Sequence, residues 1–274
     1  SVDLVSNCYL CECLDALSKM AALLGREEEA ARYGERLQAL RTRIGEEFYD
    51  PETARYATGS QIDQIYPMLA GVTASEEVPK VTQRLFRETR ERLGGHIGCG
   101  LVGVTVLTDW AIREGQADFV CSMLRKRDVP GYLAMIDRGA TTTWEHWAGD
   151  RSRIHNCFNG IGAWFVQALG GIRPDERDPG YRHILFRPQT PAGIRWVRAT
   201  KETPYGTAAI DWEIAEGRFA ADIVVPANST ATFFLPDGVR TCELDGRTTE
   251  TPDGRVALAA GRHTLACATG HGSR

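Results

Sequence analysis

The spacing of apolar residues changes once along this chain, and that change limits the folds the chain can adopt. Up to about residue 172, apolar side chains recur every three or four positions, as on one face of an α-helix. Beyond the segment GGIRP, which ends at Pro174, they alternate with polar residues, as in half-buried β-strands. The pattern predicts two domains, a helical one over residues 1–174 and one built of strands over residues 175–274.

The helical part is expected to contain seven helices in pairs, with alternately short and long connections. The first ends near Leu24, and the others are predicted over 27–48, 61–72, 75–93, 102–115, 116–127 and 154–169. Two antiparallel helices joined by a loop form an α-hairpin, and hairpins bury their apolar stripes by packing side by side. We therefore interpret this part as a series of repeated α-hairpins.

The second part carries short alternating segments separated by turn residues. Strands are predicted over 181–186, 194–200, 208–214 and 219–225, and the turns contain Pro188, Gly206, Gly217, Asn228, Gly238, Gly246 and Gly254. Turns at intervals of about 8 to 12 positions are typical of antiparallel sandwiches. The predicted fold class is therefore multidomain α and β, with helical hairpins followed by an antiparallel β-sandwich.

Composition excludes several functional classes. With 43% hydrophobic and 25% charged residues the chain suits folded domains, and no apolar run reaches the roughly 20 residues that span a bilayer. The net charge of -4 arises from Lys and Arg scattered among Asp and Glu, without the basic stripe that binds nucleic acid. We expect a neutral or weakly charged partner, no nucleic acid and no membrane, and the oligomeric state stays open.

The first residues lie inside an apolar helical pattern that includes Leu4, Val5 and Cys8, with no evident helix cap before it. They contain neither a basic stretch nor a cleavage site of the kind found in signal peptides. The chain is therefore expected to be cut from a longer polypeptide, with any signal sequence upstream.

The cysteines do not suggest a metal site. Of the eight, three cluster near the start and the others stand alone: Cys8, Cys11, Cys13, Cys99, Cys121, Cys157, Cys242 and Cys267. The CEC spacing at 11–13 is too short for a zinc knuckle, and no second CxxC or HxxxH completes four ligands. We interpret the cysteines as small buried apolar side chains and expect neither metal nor cofactor. Scattered thiols slightly favour a reducing, cytoplasmic compartment over a periplasmic or secreted one.

The segment GATTTWEHWAG, with RIHN just after it, differs from the rest of the helical part. Within it, Trp144, Trp147, His155 and Asn156 surround one carboxylate, Glu145, without the charge alternation of a solvated face. Aromatic rings stack on the apolar face of a sugar, polar side chains bond its hydroxyls, and a carboxylate transfers a proton. The segment therefore indicates a sugar site on a loop between helices, although the two tryptophans are also compatible with capping the domain core.

A second loop, GGHIGCG over residues 94–100, carries His96 and is a candidate for the same site. The alternative is a histidine that only bonds loop backbone, and the glycines form no phosphate cradle because they follow a helix rather than a strand. Gln61, Asp63 and Gln64 begin a helix, where capping or solvation is the more common role.

Several ordered motifs carry a family resemblance over nearly the whole chain. They are GATTTWEHW, HNCFNGIGAWFVQALGGIRPD, PGYRHILFRPQ, KETPYGTAAIDWE and VPANSTATFFLPDG. In these motifs the chain resembles bacterial α-L-rhamnosidases of glycoside hydrolase family seventy-eight. The resemblance implies an inverting hydrolase of terminal α-L-rhamnose, and an incomplete (α/α)6 toroid of helical hairpins followed by a β-sandwich.

The resemblance also implies residue roles. The Glu of the family's TTxWE motif acts as general base, a role that carries over to Glu145, while Trp144, Trp147 and His155 match positions that hold rhamnose. The chain has IHNCFNGIG in place of the commoner NHYAFG form, which puts the role of Asn156 in doubt. The family's general acid lies in an Asp-rich motif earlier in the toroid, and nothing before Gly59 resembles it. These 274 residues alone are therefore expected to be inactive.

Two other interpretations stay open at this point. One is another toroid glycosidase, related to glucosidases or trehalases, because fold does not determine substrate. The other is a non-catalytic carbohydrate-binding scaffold, whose sandwich would present an aromatic platform formed by Tyr181, Trp196, Tyr205 and Trp212. At strand spacing, such residues more often belong to a core or a domain interface.

Overall fold

The computed structural model describes residues 1–156 and 158–269. These residues form two compact units, one from 1–113 with 122–160, and one from 114–121 with the residues from Ile161 onward. The division into domains at 174/175 stays a prediction.

The first unit is built on an antiparallel helix pair, α1 (Val2–Leu23) and α2 (Glu27–Phe48). A tight turn joins them at Gly25, whose φ of 68° is in the left-handed region that glycine adopts without steric cost. The Ser1 side chain accepts a hydrogen bond from the Leu4 amide at 3.4 Å, so α1 does have a cap, contrary to expectation. The pair confirms the first predicted α-hairpin.

The connection after α2 contains two short paired strands, β1 (Tyr49–Asp50) and β2 (Arg55–Tyr56). Further helices follow this connection. They are α3 (Gln61–Leu69), α4 (Val78–Glu91), α5 (Leu101–Arg113), α6 (Ala117–Leu124) and α7 (Tyr132–Asp137). The predicted helices up to residue 127 are confirmed with slightly shorter ends, whereas α7 was not predicted. In the described part of the chain, no helix combines the length and apolar character needed to cross a bilayer.

The helix predicted over 154–169 begins later than expected. Regular structure starts with α8 (Gly160–Trp164) and continues as a π-helical turn over Phe165–Leu169. The Ile154 side chain is 80% exposed, and the His155 amide donates to the Thr143 carbonyl. In a helix from residue 154 the Asn159 amide would donate to the His155 carbonyl, whereas here that carbonyl accepts the Thr143 hydroxyl and the Asn159 amide donates to the Asn156 carbonyl at 3.2 Å.

The second unit contains a sandwich of two sheets. Its strands are β3 (Ile172–Pro174), β4 (His183–Phe186), β5 (Trp196–Thr203), β6 (Gly206–Ala215), β7 (Arg218–Val225), β8 (Thr230–Phe234), β9 (Thr241–Leu244), β10 (Arg247–Glu250), β11 (Arg255–Leu258) and β12 (Gly261–Ala268). The larger sheet has the order β10-β9-β12-β7-β6-β5, and the smaller one has the order β11-β8-β4-β3. The four predicted strands are confirmed, and neighbouring strands run antiparallel except for the parallel pair β4 and β8.

Alternation places one face of each sheet in a shared core. From the larger sheet it takes Ile210, Trp212, Phe219, Ile223 and Leu265, and from the smaller one Ile184, Phe186, Phe233 and Val256. Two-residue turns at Glu216-Gly217 and Asp245-Gly246 have positive φ at both positions, as the twist of a tight hairpin requires. The predicted turn residues therefore define the register that separates the core face from the outer face.

Most of the cysteines pack as apolar side chains. Cys8, Cys11, Cys99, Cys121, Cys242 and Cys267 are buried, whereas Cys13 is half-buried and Cys157 lies outside the described residues. Burial raises the pKa of the Cys99 thiol to about 12, which keeps it protonated. Among residues 1–156 and 158–269, no three His, Cys, Asp or Glu side chains are placed to share a metal ion. The absence of metal and cofactor stays a prediction.

The sandwich core predicts a contrast between two adjacent phenylalanines in β8. Phe233 is 0% exposed and packs 6.0 Å from the Phe219 ring, whereas Phe234 is half-buried on the opposite face between Arg187 and Arg255. Phe233→Ala should lower the free energy of unfolding by about 3–5 kcal/mol, because it leaves a cavity. Phe234→Ala should cost only about 1–2 kcal/mol, from two cation–π contacts. Denaturant titration of both variants measures the difference, and equal losses would contradict the assigned register.

Candidate active site

The loop between α7 and α8 folds back on itself through its own backbone. The Glu145 amide donates to the Ser152 carbonyl at 2.9 Å, and the His155 amide donates to the Thr143 carbonyl at 3.0 Å. The Thr143 hydroxyl returns a bond of 2.6 Å to the His155 carbonyl. These bonds bring the arm carrying Trp144 and Glu145 alongside the arm carrying His155, as the predicted site requires.

The Glu145 side chain lies at the rim of this loop and is 34% exposed. Its Oε2 accepts the Ser152 amide at 3.3 Å, and its Oε1 lies 3.9 Å from the Arg151 guanidinium. One oxygen is thus oriented by a backbone amide, while the other faces a mostly exposed arginine. A carboxylate held in this way is able to take a proton from a water molecule.

Trp147 stands in an aromatic stack. Its ring lies 3.9 Å from the Phe158 ring at an interplanar angle of 19°, and it meets the Tyr132 ring edge-on at 5.2 Å. Its Nε1 donates to the Cys99 carbonyl at 3.4 Å, which joins this loop to the GGHIGCG loop. Phe158 covers one face of the indole, so sugar stacking by Trp147 would use the other face.

Trp144 has a different environment, because it is only 3% exposed. Its ring packs against Gly149, where φ is 71° and an added Cβ would collide with the indole. The Arg153 guanidinium lies 5.2 Å from the ring centroid. In this arrangement the Trp144 ring supports the loop from inside, and its contact with a sugar stays a prediction.

The remaining predicted site residues lie around these two loops. The His96 ring is mostly buried, with Nδ1 2.8 Å from the Pro130 carbonyl and Nε2 3.1 Å from the Asp128 carboxylate. A sugar hydroxyl would have to replace one of those partners. His155 is half-buried and Asn156 is exposed. The binding roles of all three residues stay predictions.

The sequence did not reveal the role of Gln61, which is buried beneath the GGHIGCG loop. Its amide nitrogen donates to the Thr89 hydroxyl at 2.9 Å and to the His96 carbonyl at 3.1 Å. Its amide oxygen accepts the Gly98 amide at 2.6 Å and the Cys99 thiol at 3.3 Å. One side chain therefore bonds three residues of the loop, His96, Gly98 and Cys99, and the last of these is the residue whose carbonyl accepts the Trp147 indole.

The neighbouring polar residues of α3 are also buried, which corrects the expectation that they are solvated. Gln64 accepts the Tyr56 amide at 2.7 Å and donates to the Ala54 carbonyl at 3.0 Å. Asp63 accepts the Thr58 amide at 3.1 Å. Polar residues at a helix start are usually exposed caps, so nothing in the sequence indicated that these organise the preceding loop.

Two family models together match most of the chain. Residues 1–169 match the model of the bacterial α-L-rhamnosidase six-hairpin glycosidase domain, and residues 171–250 match the model of the bacterial α-L-rhamnosidase C-terminal domain. The first match alone covers more than half of the chain.

Curated relatives agree with these models. An α-L-rhamnosidase of Formosa agariphila is 26% identical over 86% of this chain, and one of Streptomyces avermitilis is 27% identical over 85%. The chain spans about a quarter of the relatives' own length, 26% and 23% respectively.

Solved structures share the fold. An α-L-rhamnosidase of Streptomyces avermitilis complexed with L-rhamnose matches 97% of this chain and 27% of that chain, with a TM-score of 0.86 at 22% identity. One from Aspergillus terreus matches 97% of this chain and 31% of that chain, with a TM-score of 0.85 at 25% identity. The predicted fold class, an incomplete toroid of helical hairpins followed by an antiparallel β-sandwich, is confirmed.

The contacts of Gln61 predict a large effect of its removal. Gln61→Ala leaves buried loop groups without partners and should lower the free energy of unfolding by about 1–3 kcal/mol. Gln38, exposed on α2, provides the matched control, and Gln38→Ala should change stability by less than about 0.5 kcal/mol. Thermal or denaturant unfolding of both variants checks this, and equal stability would show that the buried amide holds nothing.

Proposed function

Because the chain belongs to the bacterial α-L-rhamnosidase family, we propose that it supplies the water-activating half of an inverting active site that releases terminal α-L-rhamnose from glycosides. The observation that carries the proposal is the placement of Glu145. Its carboxylate is partly exposed on a loop that also presents Trp147 and His155. The family match and this geometry support the same assignment.

The chemistry assigned to Glu145 is general base catalysis. Its carboxylate takes a proton from water as the water oxygen bonds to the anomeric carbon, while the bond from that carbon to the leaving oxygen breaks. The leaving oxygen takes a proton from a second carboxylic acid. At the end of the step Glu145 is protonated, the acid is ionised and the configuration at the anomeric carbon is inverted.

Contacts around the carboxylate suit this role. The Ser152 amide donates to Oε2, which orients the carboxylate, and both oxygens keep lone pairs that can take the proton. Trp147 is braced by Phe158 and Tyr132, which leaves a rigid ring to stack on the sugar. Burial raises the pKa of the Tyr132 phenol, so its neutral hydroxyl keeps donating to the Phe158 carbonyl at 2.7 Å.

The general acid is assigned to a residue outside these 274 residues. An inverting pair is separated by roughly 6.5–9.5 Å to admit the water, so the acid must face Glu145 across the sugar. Nothing before Gly59 resembles the family's Asp-rich motif. The chain thus contributes the base and part of the sugar-binding wall.

Replacing Glu145 tests the assignment in an enzyme that contains the complete six-hairpin domain. Glu145→Gln should lower kcat for 4-nitrophenyl α-L-rhamnopyranoside by about 10² or more, because the amide cannot take the proton. Glu91→Gln, at an exposed position of α4, provides the matched control and should leave kcat unchanged. Turnover like that of the unchanged enzyme in Glu145→Gln would remove this residue from the mechanism.

Stereochemistry provides an independent check of inversion. Proton NMR of the first-formed product should show the β-anomer of L-rhamnose before mutarotation. An α-anomer formed first would instead indicate a retaining mechanism and would contradict the role of Glu145 as base. A panel of aryl rhamnosides, glucosides and fucosides separates the proposed sugar specificity from that of other toroid glycosidases.

The 274-residue chain by itself should not hydrolyse 4-nitrophenyl α-L-rhamnopyranoside. The reason is the absence of a proton donor for the leaving group, which removes half of the acid-base pair. Absorbance of released nitrophenolate measures the rate, with a complete rhamnosidase as the positive control. Comparable turnover per molecule would show that the chain holds both carboxylates.

A further inference from the structure

The outer face of the larger sheet presents a groove that the proposed reaction does not use. Strand register aligns Trp196, Glu213, Ala220, Ala266 and Glu243 in one row across five adjacent strands. Neighbouring residues in these strands, such as Trp212 and Phe219, point into the sandwich core. The row therefore lies on the solvent side of the sheet.

The groove exists because the side chains in the middle of the row are small. Ala220 and Ala266 pair directly across β7 and β12, while longer side chains stand on both sides of them. A cavity of about 380 Å³ lies over these alanines, and a neighbouring cavity of about 340 Å³ borders Trp196. Each is within the range of small-molecule sites, about 300–1,000 Å³.

Trp196 is the aromatic residue of this groove and is 65% exposed. The Arg198 guanidinium lies 6.0 Å from the centroid of this ring, and the exposed indole offers a flat apolar face on which a sugar can stack. Of the four aromatic residues considered as a platform, Trp212 is buried in the core and Tyr181 packs against it. The platform predicted as an alternative from the sequence is thus reduced to Trp196, because Tyr205 lies in the turn after β5, outside both cavities.

Positively and negatively charged side chains line the groove in nearly equal numbers. Three arginines and four carboxylates line the two cavities. Arg198 bonds Asp211 at 2.6 Å, and Arg218 bonds Glu243 at 3.0 Å. Paired donors and acceptors of this kind bind the adjacent hydroxyls of a polyol, whereas a nearly neutral set does not favour an anion or a cation.

From the row, the exposed indole and the balanced charges, we propose that this groove is a second carbohydrate site, which binds a neutral oligosaccharide across the strands. Five strands spaced by about 4.8 Å give a row on the order of 19 Å long, which fits a chain of sugars better than a single one. Trp196 stacks on one sugar, and the arginine–carboxylate pairs bond the hydroxyls of the others. This site would hold a glycan on the enzyme independently of Glu145.

Binding to the full chain tests the proposal by isothermal titration with three neutral probes: cellohexaose, xylohexaose and maltohexaose. At least one should bind, and Trp196→Ala should raise its Kd at least tenfold. Tyr205→Ala removes an exposed aromatic residue outside the two cavities and should leave the Kd unchanged. Failure of all three probes to bind, or equal effects of the two variants, would overturn the proposal.

Two further variants separate this site from the proposed active site. Ala220→Leu fills the floor of the groove without changing its charge, and it should also raise the Kd at least tenfold. Glu145→Gln should leave the Kd unchanged. Loss of binding in Glu145→Gln with retention in Ala220→Leu would move the glycan to the helical unit and overturn the groove as a site.

Discussion

The candidate active site depends on one buried amide. Gln61 is buried and bonds the Thr89 hydroxyl, the His96 carbonyl, the Gly98 amide and the Cys99 thiol. Leaving a buried polar group without a partner costs more free energy than its hydrogen bond contributes. These four bonds therefore favour one conformation of the GGHIGCG loop. Because the Cys99 carbonyl in turn accepts the Trp147 indole N–H, that arrangement also positions the aromatic stack beside the proposed catalytic loop.

The proposed catalytic loop, between α7 and α8, has a defined conformation without regular secondary structure, and its threonines explain how. The Thr142 hydroxyl donates to the Arg153 carbonyl at 2.6 Å, and the Thr143 hydroxyl donates to the His155 carbonyl at the same distance. Side chains thereby satisfy backbone carbonyls that a helix or sheet would otherwise satisfy. Thr142 and Thr143 therefore hold the two arms of the loop together.

The sandwich uses the two faces of one sheet for different purposes. The inner face carries large apolar side chains that fill the core, and the outer face carries charged residues around two alanines. Strand alternation makes this separation possible, because successive side chains point to opposite sides. The same alternation places Trp212 inside and Trp196 outside, although both tryptophans lie on neighbouring strands of one sheet.

Local pattern determined the order and type of the elements: the change from helical to alternating spacing, the hairpin turns at Gly217 and Gly246, and the unusual composition around Glu145. Tertiary contacts decided what local pattern does not encode. The helix expected from residue 154 starts at Gly160 because the His155 carbonyl accepts the Thr143 hydroxyl instead of the Asn159 amide, and Gln61 is buried because another loop closes over it. The spacing of apolar residues indicates which residues share a face of a helix or strand. Only packing against distant segments determines whether that face contacts water, the core or a ligand.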